Sequence, residues 1–230
     1  MEDEGMKRRV CSIILTLGMV LSLFIFLGSR DASVVYAAND LASGITINEE
    51  YLIPDSIGWC TYYVIVATNN TGSDIAISAD FVAKNRSGSV MKKVNDYSEA
   101  VKKDQQFILY GQFLNSEIKG ASGYDYTYTV SKTDKCAYTS VALDTKNIGE
   151  CVEVSATNYS KFDIQSVGVR TVFMKNGKAV AFDTVNIADS GIIFHGGSTN
   201  SQVIGVSAGD YDNYFLTYTS VGTQAHAEDL

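Results

Sequence analysis

Residues 63–77, YVIVATNNTGSDIAI, return in residues 152–166 as VEVSATNYSKFDIQS. Ala67-Thr68-Asn69 comes back as Ala156-Thr157-Asn158, a separation of 156 − 67 = 89, and Asp74-Ile75 comes back as Asp163-Ile164 at the same interval. Upstream, IGWC at 57–60 matches IGEC at 148–151, now 91 apart, and YDYTYTV at 124–130 has a counterpart in YDNYFLTYTSV at 211–221. Intervals that drift by a residue or two are what duplicated modules show when turns change length. A unit of this length is too long for a solenoid repeat and suits a whole domain.

Within each stretch apolar residues alternate with polar ones, the period of a half-buried strand. Tyr63, Ile65 and Ala67 precede a turn cluster at 69–73, and Ile75, Ile77, Ala79 and Phe81 follow it. NRSG at 85–88 turns the chain back into SVMKKV. The second copy has Val152, Val154 and Ala156, a turn at 158–161, then Ile164, Val167 and Val169, where the extra step predicts a β-bulge. Asn176-Gly177 in MKNGKAV supplies the positive-φ pair of a tight hairpin. Later strands are expected at 106–113 and 124–131, and again at 202–206 and 214–220. SEAVKKD at 98–104 reads as a helical turn or a loop, opposite FHGGSTN at 194–200. The expected fold is all-β: two tandem immunoglobulin-like β-sandwich domains at 38–133 and 134–221, after a leader at 1–37 and before a frayed tail at 222–230.

The leader has a basic start, Lys7-Arg8-Arg9, an uncharged apolar run, and Val35-Tyr36-Ala37 as the cleavage signal of a secretory signal peptide. The alternative is an uncleaved anchor, since the run is about long enough to span a bilayer. Removing 1–37 takes away four basic and four acidic residues, so the remaining chain keeps the formal charge of −8. An acidic chain without clustered Lys or Arg is unsuited to nucleic acid. Membrane contact is expected only through a retained leader.

The segments ATNYSKFDIQSVGVRTVFMKNGKAV (156–180) and ATNNTGSDIAISADFVAKNRSGSV (67–90) resemble the FxLYD-type immunoglobulin-like modules of secreted and envelope proteins of Gram-positive bacteria. Where such modules carry a Pro-Gly turn before a late strand, this chain has Lys103-Asp104 and Gly196-Gly197. The resemblance implies a β-sandwich and a secreted or cell-surface role, with no common ligand.

Three cysteines follow the leader. Cys136 and Cys151 flank the first hairpin of the second copy, with a turn expected near 144–147, and are the sequence-local disulfide pair. Three reduced thiols, or Cys60 with Cys151, are the alternatives. The spacings do not suit zinc. Catalysis needs a placed acid, base, nucleophile or metal, and only His195 and His226 offer an imidazole. Asp210, Asp212 and Asn213 supply oxygens, but without the shaped loop that calcium requires. No catalytic residue, metal site or cofactor is expected.

Trp59, Tyr124, Tyr126 and Tyr128 are the candidate ligand-binding residues, because exposed rings stack on sugars and the three tyrosines share one strand face. Asn69, Asn85 and Asn158 fit Asn-x-Ser/Thr, as turn residues or as glycan acceptors. The reading is a non-catalytic secreted or cell-surface interaction or envelope-structural protein, its partner a protein or an envelope glycan. A glycan-binding module using the tyrosine-rich strands is the alternative, and an extracellular hydrolase a third.

Overall fold

A computed structural model describes residues 40–188 and 194–223. The expected leader and cleavage signal, His226 and most of the expected tail lie outside the described residues. The described residues carry twelve strands and two short 3-10 turns. Among them no helix is long and apolar enough to cross a membrane.

The first six strands are β1 (Ile45–Pro54), β2 (Cys60–Asn69), β3 (Ile75–Lys84), β4 (Val90–Val101), β5 (Gln106–Leu114) and β6 (Gly123–Lys132). The last six are β7 (Val141–Ile148), β8 (Cys151–Asn158), β9 (Ile164–Lys175), β10 (Lys178–Ala188), β11 (Thr199–Ile204) and β12 (Asn213–Gly222). All pair antiparallel, in four three-stranded sheets. The orders β1-β2-β5 and β4-β3-β6 reappear six strands later as β7-β8-β11 and β10-β9-β12. One apolar cluster, including Phe81, Phe107, Phe113 and Tyr126, lies between the first two sheets, and another, with Phe173 and Phe194, between the last two. The described residues fall in one compact unit. A third cluster explains this: β1-β2-β5 packs its outer face on β10-β9-β12 through Ile53, Val64, Val66, Ile108, Val172 and Phe182.

That contact accounts for the difference between the two opening stretches. In β2 the run Tyr63–Ala67 is buried continuously, because one face meets the first core and the other meets the neighbouring sheet. In β8 burial alternates strictly, and Glu153 and Ser155 face away from the core. Five residues before the turn asparagines, the cross-strand row Tyr51–Val64–Tyr110 stands against Lys146–Glu153–Val203. A similar contrast separates the row Phe182–Val172–Phe215 from Lys93–Val82–Asp125. The two sheets that meet are apolar outside; the two that end the stack are polar, with Ser155–Ser201 and Thr157–Thr199 hydroxyl pairs at 2.6 and 2.8 Å.

The turn asparagines are structural. Asn69 and Asn158 are fully buried. The Asn69 amide donates to the carbonyls of Ser73 (2.9 Å), Val101 (3.2 Å) and Lys102 (2.9 Å), and its oxygen accepts from Thr71. Asn158 donates to Phe162 (2.8 Å) and Phe194 (3.1 Å) and accepts from Ser160. Each clamps its turn to the connection between later strands. There Asp104 (φ 62°) and Gly197 (φ 78°) occupy the same left-handed place, their N–H groups on the Asn69 and Asn158 carbonyls. With amides spent on buried carbonyls, neither Asn69 nor Asn158 is a glycan acceptor in the folded protein.

Several expectations need correction. Residues 98–101 are strand: Ser98 pairs with Ile77 and Val101 with Ile75, and Ala100 and Val101 are fully buried. A helical turn would withdraw both from the core. β7 continues through Ile148, so its turn lies at Gly149-Glu150, later than the expected 144–147. β11 starts at Thr199, and β12 includes Gly222, whose N–H donates to the Lys135 carbonyl at 2.8 Å. The register slip around Gln165, where Val221 faces Ser166 and Gly222 faces Ile164, is the expected bulge.

Candidate functional site

The seam between the apolar sheets brings together side chains far apart in sequence. Tyr62 and Tyr110 hold Phe182 between them, centroids 5.2 and 4.8 Å away. Beside this cluster Arg170 reaches from β9 to Asp96 on β4 in a bidentate pair, 2.7 and 2.8 Å. It also donates to the Ile108 carbonyl and lies over the Tyr110 ring at 5.0 Å. The side chains of Arg170 and Asp96 are only 18% and 11% exposed. Burial pushes the Asp96 carboxyl above its ordinary range, while the Arg170 charge and the Tyr110 N–H oppose that shift. Arginine's planar fork suits such a site, because it satisfies both carboxylate oxygens at once.

One mouth of the seam is built on the β1–β2 turn. Asp55 accepts from the Trp59 and Cys60 N–H groups at 2.7 and 3.1 Å, and Asn115 clamps the turn from β5's end through Gly58 and Trp59. The fixed turn presents Ile57 and Trp59 at 82% and 59% exposure. They line a groove of about 220 Å3 with Tyr62, Phe182, Asp183 and Ala208. Asp183 is held by the N–H groups of Thr184 and Gly205, both at 2.8 Å. Val206, 72% exposed, precedes the groove-lining Ser207 in the chain.

The tyrosines expected to share this role with Trp59 are elsewhere. Tyr126 and Tyr128 are 1% exposed and belong to the first core, and Tyr124 packs on Phe113 and Tyr63. Tyr63 and Tyr126 donate their hydroxyls to Glu50 at 2.6 and 3.1 Å. These rings share a face, as the period-2 reading says, but the face looks inward. They are not a stacking platform; Trp59 is the one candidate left at the surface.

Cys60, Cys136 and Cys151 are free thiols, which replaces the expected Cys136–Cys151 bridge. Cys136 bridges to Val221 near the Asn158 end of β8, and Cys151 starts that strand at its other end. Seven residues of strand separate those ends by about 23 Å, whereas bridged Cα atoms lie within about 7 Å. Burial pushes the Cys136 thiol up to about 11 and also raises Cys60, so neither is a poised nucleophile.

His195 Nδ1 lies 2.9 Å from Asp163 Oδ1 on an exposed loop, as Asp74 takes the Lys103 N–H in the first half. Its partner orients the ring, and the Ser198 hydroxyl is turned away to the His195 carbonyl. Asp210 is paired with Lys175, and Asp212 accepts from the Asn176 N–H at 2.7 Å. Among the described residues no group of three or more His, Cys, Asp or Glu could hold a metal. Arg170 escaped the sequence reading, although a lone arginine in the apolar strand VGVRTVFM signals a buried acidic partner.

No family model matches the chain, and no curated protein does. Among solved structures it is similar to red sea bream transglutaminase (8% identity, TM-score 0.26), over 77% of this chain and 29% of that one. It is also similar to the C-terminal globular domain of an oligosaccharyltransferase from Pyrococcus abyssi (10%, TM-score 0.20; 71% of this chain, 42% of that). A β-glucuronidase of glycoside hydrolase family 2 is similar at 11% and TM-score 0.18, over 72% of this chain and 20% of that. The chain thus spans less than half the length of each, and likeness at this level carries no argument about activity.

Proposed function

We propose that this is an exported, non-catalytic interaction or envelope-structural protein, built of two tandem immunoglobulin-like sandwiches fixed in one rigid block. The recurring strand order and the two buried asparagine clamps support the tandem reading, and the leader at 1–37 supports export. One observation carries the interaction reading: Ile57 and Trp59 stand exposed on a fixed turn at the mouth where the halves meet. Large apolar side chains grouped on a rim mark a contact surface, with aromatic residues as its anchors. Binding through end loops held by a rigid scaffold is how sandwich proteins recognise partners.

The test is co-sedimentation of the purified protein with cell envelopes of the source organism. Binding is expected to weaken about tenfold in Trp59→Ala, as for a buried aromatic anchor, and its Trp59-dependent part to vanish after protease treatment of the envelopes. No binding, or binding indifferent to Trp59→Ala, overturns the reading. Binding that survives protease but not glycan hydrolysis favours the glycan alternative.

A further inference from the structure

The outer face of β10-β9-β12 has two unlike ends. At one end Val172, Phe182 and Phe215 lie beneath the β1-β2-β5 sheet. At the other, cross-strand rows read Asn186–Gly168–Thr219 and Thr184–Arg170–Thr217. This polar end floors a groove of about 380 Å3, walled by Tyr97, Ser98 and Glu99 of β4 and by Tyr110 of β5. That volume falls within the range of small-ligand clefts, about 300–1,000 Å3.

The chemistry of the groove is restrictive. Its two charged groups are already neutralised, Arg170 by Asp96 and Glu99 by Lys135 at 2.7 Å. An anion would have to break a buried bidentate pair. Hydrogen-bonding groups, in contrast, are in surplus. Ser166, Asn186 and Thr219 all line the groove. An apolar ligand would bury these groups unsatisfied. Gly168 leaves the centre of the floor bare: a Cβ there would stand 3.5 Å from Asn186 Oδ1 and 3.7 Å from Thr219 Oγ1. Tyr97, in the same lining, is 52% exposed. A flat bare spot flanked by an amide and a hydroxyl, beside an accessible ring, fits a flat, uncharged ligand dense in hydroxyls.

We infer that this groove binds a neutral pyranose unit of a glycan, laid over Gly168, with Asn186 and Thr219 bonding its hydroxyls and Tyr97 against its apolar face. The site is separate from the Trp59 mouth, so a protein partner there leaves this inference standing.

The experiment is a glycan microarray of the whole protein, followed by calorimetry with the best neutral oligosaccharide at millimolar concentration. Gly168→Leu fills the floor, and Asn186→Ala removes a bonding group without adding bulk. Each is expected to weaken binding about tenfold or more, and Trp59→Ala to leave it unchanged. Sulfated and uronic-acid analogues are expected to bind no better than neutral ones. The inference is overturned by no binding of any neutral glycan, by binding indifferent to Asn186→Ala, or by binding lost with Trp59→Ala.

Discussion

Replacing Arg170 by alanine tests whether the two halves are locked together. The substitution strands Asp96, whose side chain is 11% exposed, with the Tyr110 N–H as a remaining donor. It also takes a donor from the Ile108 carbonyl and a cation from the Tyr110 ring. Breaking a buried pair from one side costs about 3–5 kcal/mol, because the remaining charge is uncompensated. Adding Asp96→Asn removes that charge and is expected to restore about 2 kcal/mol, the non-additivity of a coupled pair. Urea denaturation supplies the readout, followed by far-UV circular dichroism and by fluorescence of Trp59, the chain's only tryptophan. Trp59 sits at the seam mouth, so it reports on the joint. The two probes are expected to coincide in the parent protein and to separate in Arg170→Ala as the halves unfold independently. A loss below about 1 kcal/mol, the value of an exposed pair, would refute the reasoning.

Asn69→Ala and Asn158→Ala are each expected to cost about 2–3 kcal/mol, since each leaves buried carbonyls unpaired. Asn85→Ala, in an exposed turn, is expected to cost less than about 1 kcal/mol by the same denaturation assay. The Cys136 thiol, near 11 against an ordinary 9.0, favours its protonated form in the fold. Its contribution is therefore complete below pH 9 and lost as pH rises toward 11. Between pH 8 and 10 the parent should lose about 1 kcal/mol more stability than Cys136→Ala, after allowance for the thiol's partial exposure; equal losses would contradict this. Alkylation in denaturant without reductant, mapped by mass spectrometry, is expected to label Cys60, Cys136 and Cys151 alike. A disulfide-linked peptide joining Cys136 and Cys151 would contradict the free thiols.

The strands were legible where one face is buried. The alternation of Ile75, Ile77, Ala79 and Phe81 survives intact in β3, and Asn176-Gly177 turns its hairpin with φ of 51° and 72°. The doubled Ala-Thr-Asn was visible because each asparagine has the same buried carbonyls to satisfy. Orientation was not legible. Period-2 spacing groups Tyr124, Tyr126 and Tyr128 on one side of a strand but does not say whether that side meets core or water. SEAVKKD misled because two lysines and an aspartate follow Val101 at once, masking a strand that ends in the core. The seam was hidden for a different reason: Trp59, Phe182 and Ala208, or Tyr97 and Gly168, become neighbours only through sheet-on-sheet packing. Even so, YYVIVA against VEVSA held a trace of it. An unbroken apolar run at the place where its counterpart alternates belongs to a strand covered twice.

The joint between the halves pairs unlike surfaces, the outside of a β1-β2-β5 sheet with the outside of a β10-β9-β12 sheet. A contact of that kind has a direction, and nothing in its symmetry closes it. Repeated, it would add module after module into an open fibre. The hydroxyl and charge rows of the terminal sheets offer a further module no oily patch. Those serines, threonines and lysines act as end caps, as polar outer repeats do in solenoids. Turning Glu153, Ser155 and Ser201 apolar at one end, and Lys93 and Asp125 at the other, would make the molecule a monomer of a polymer.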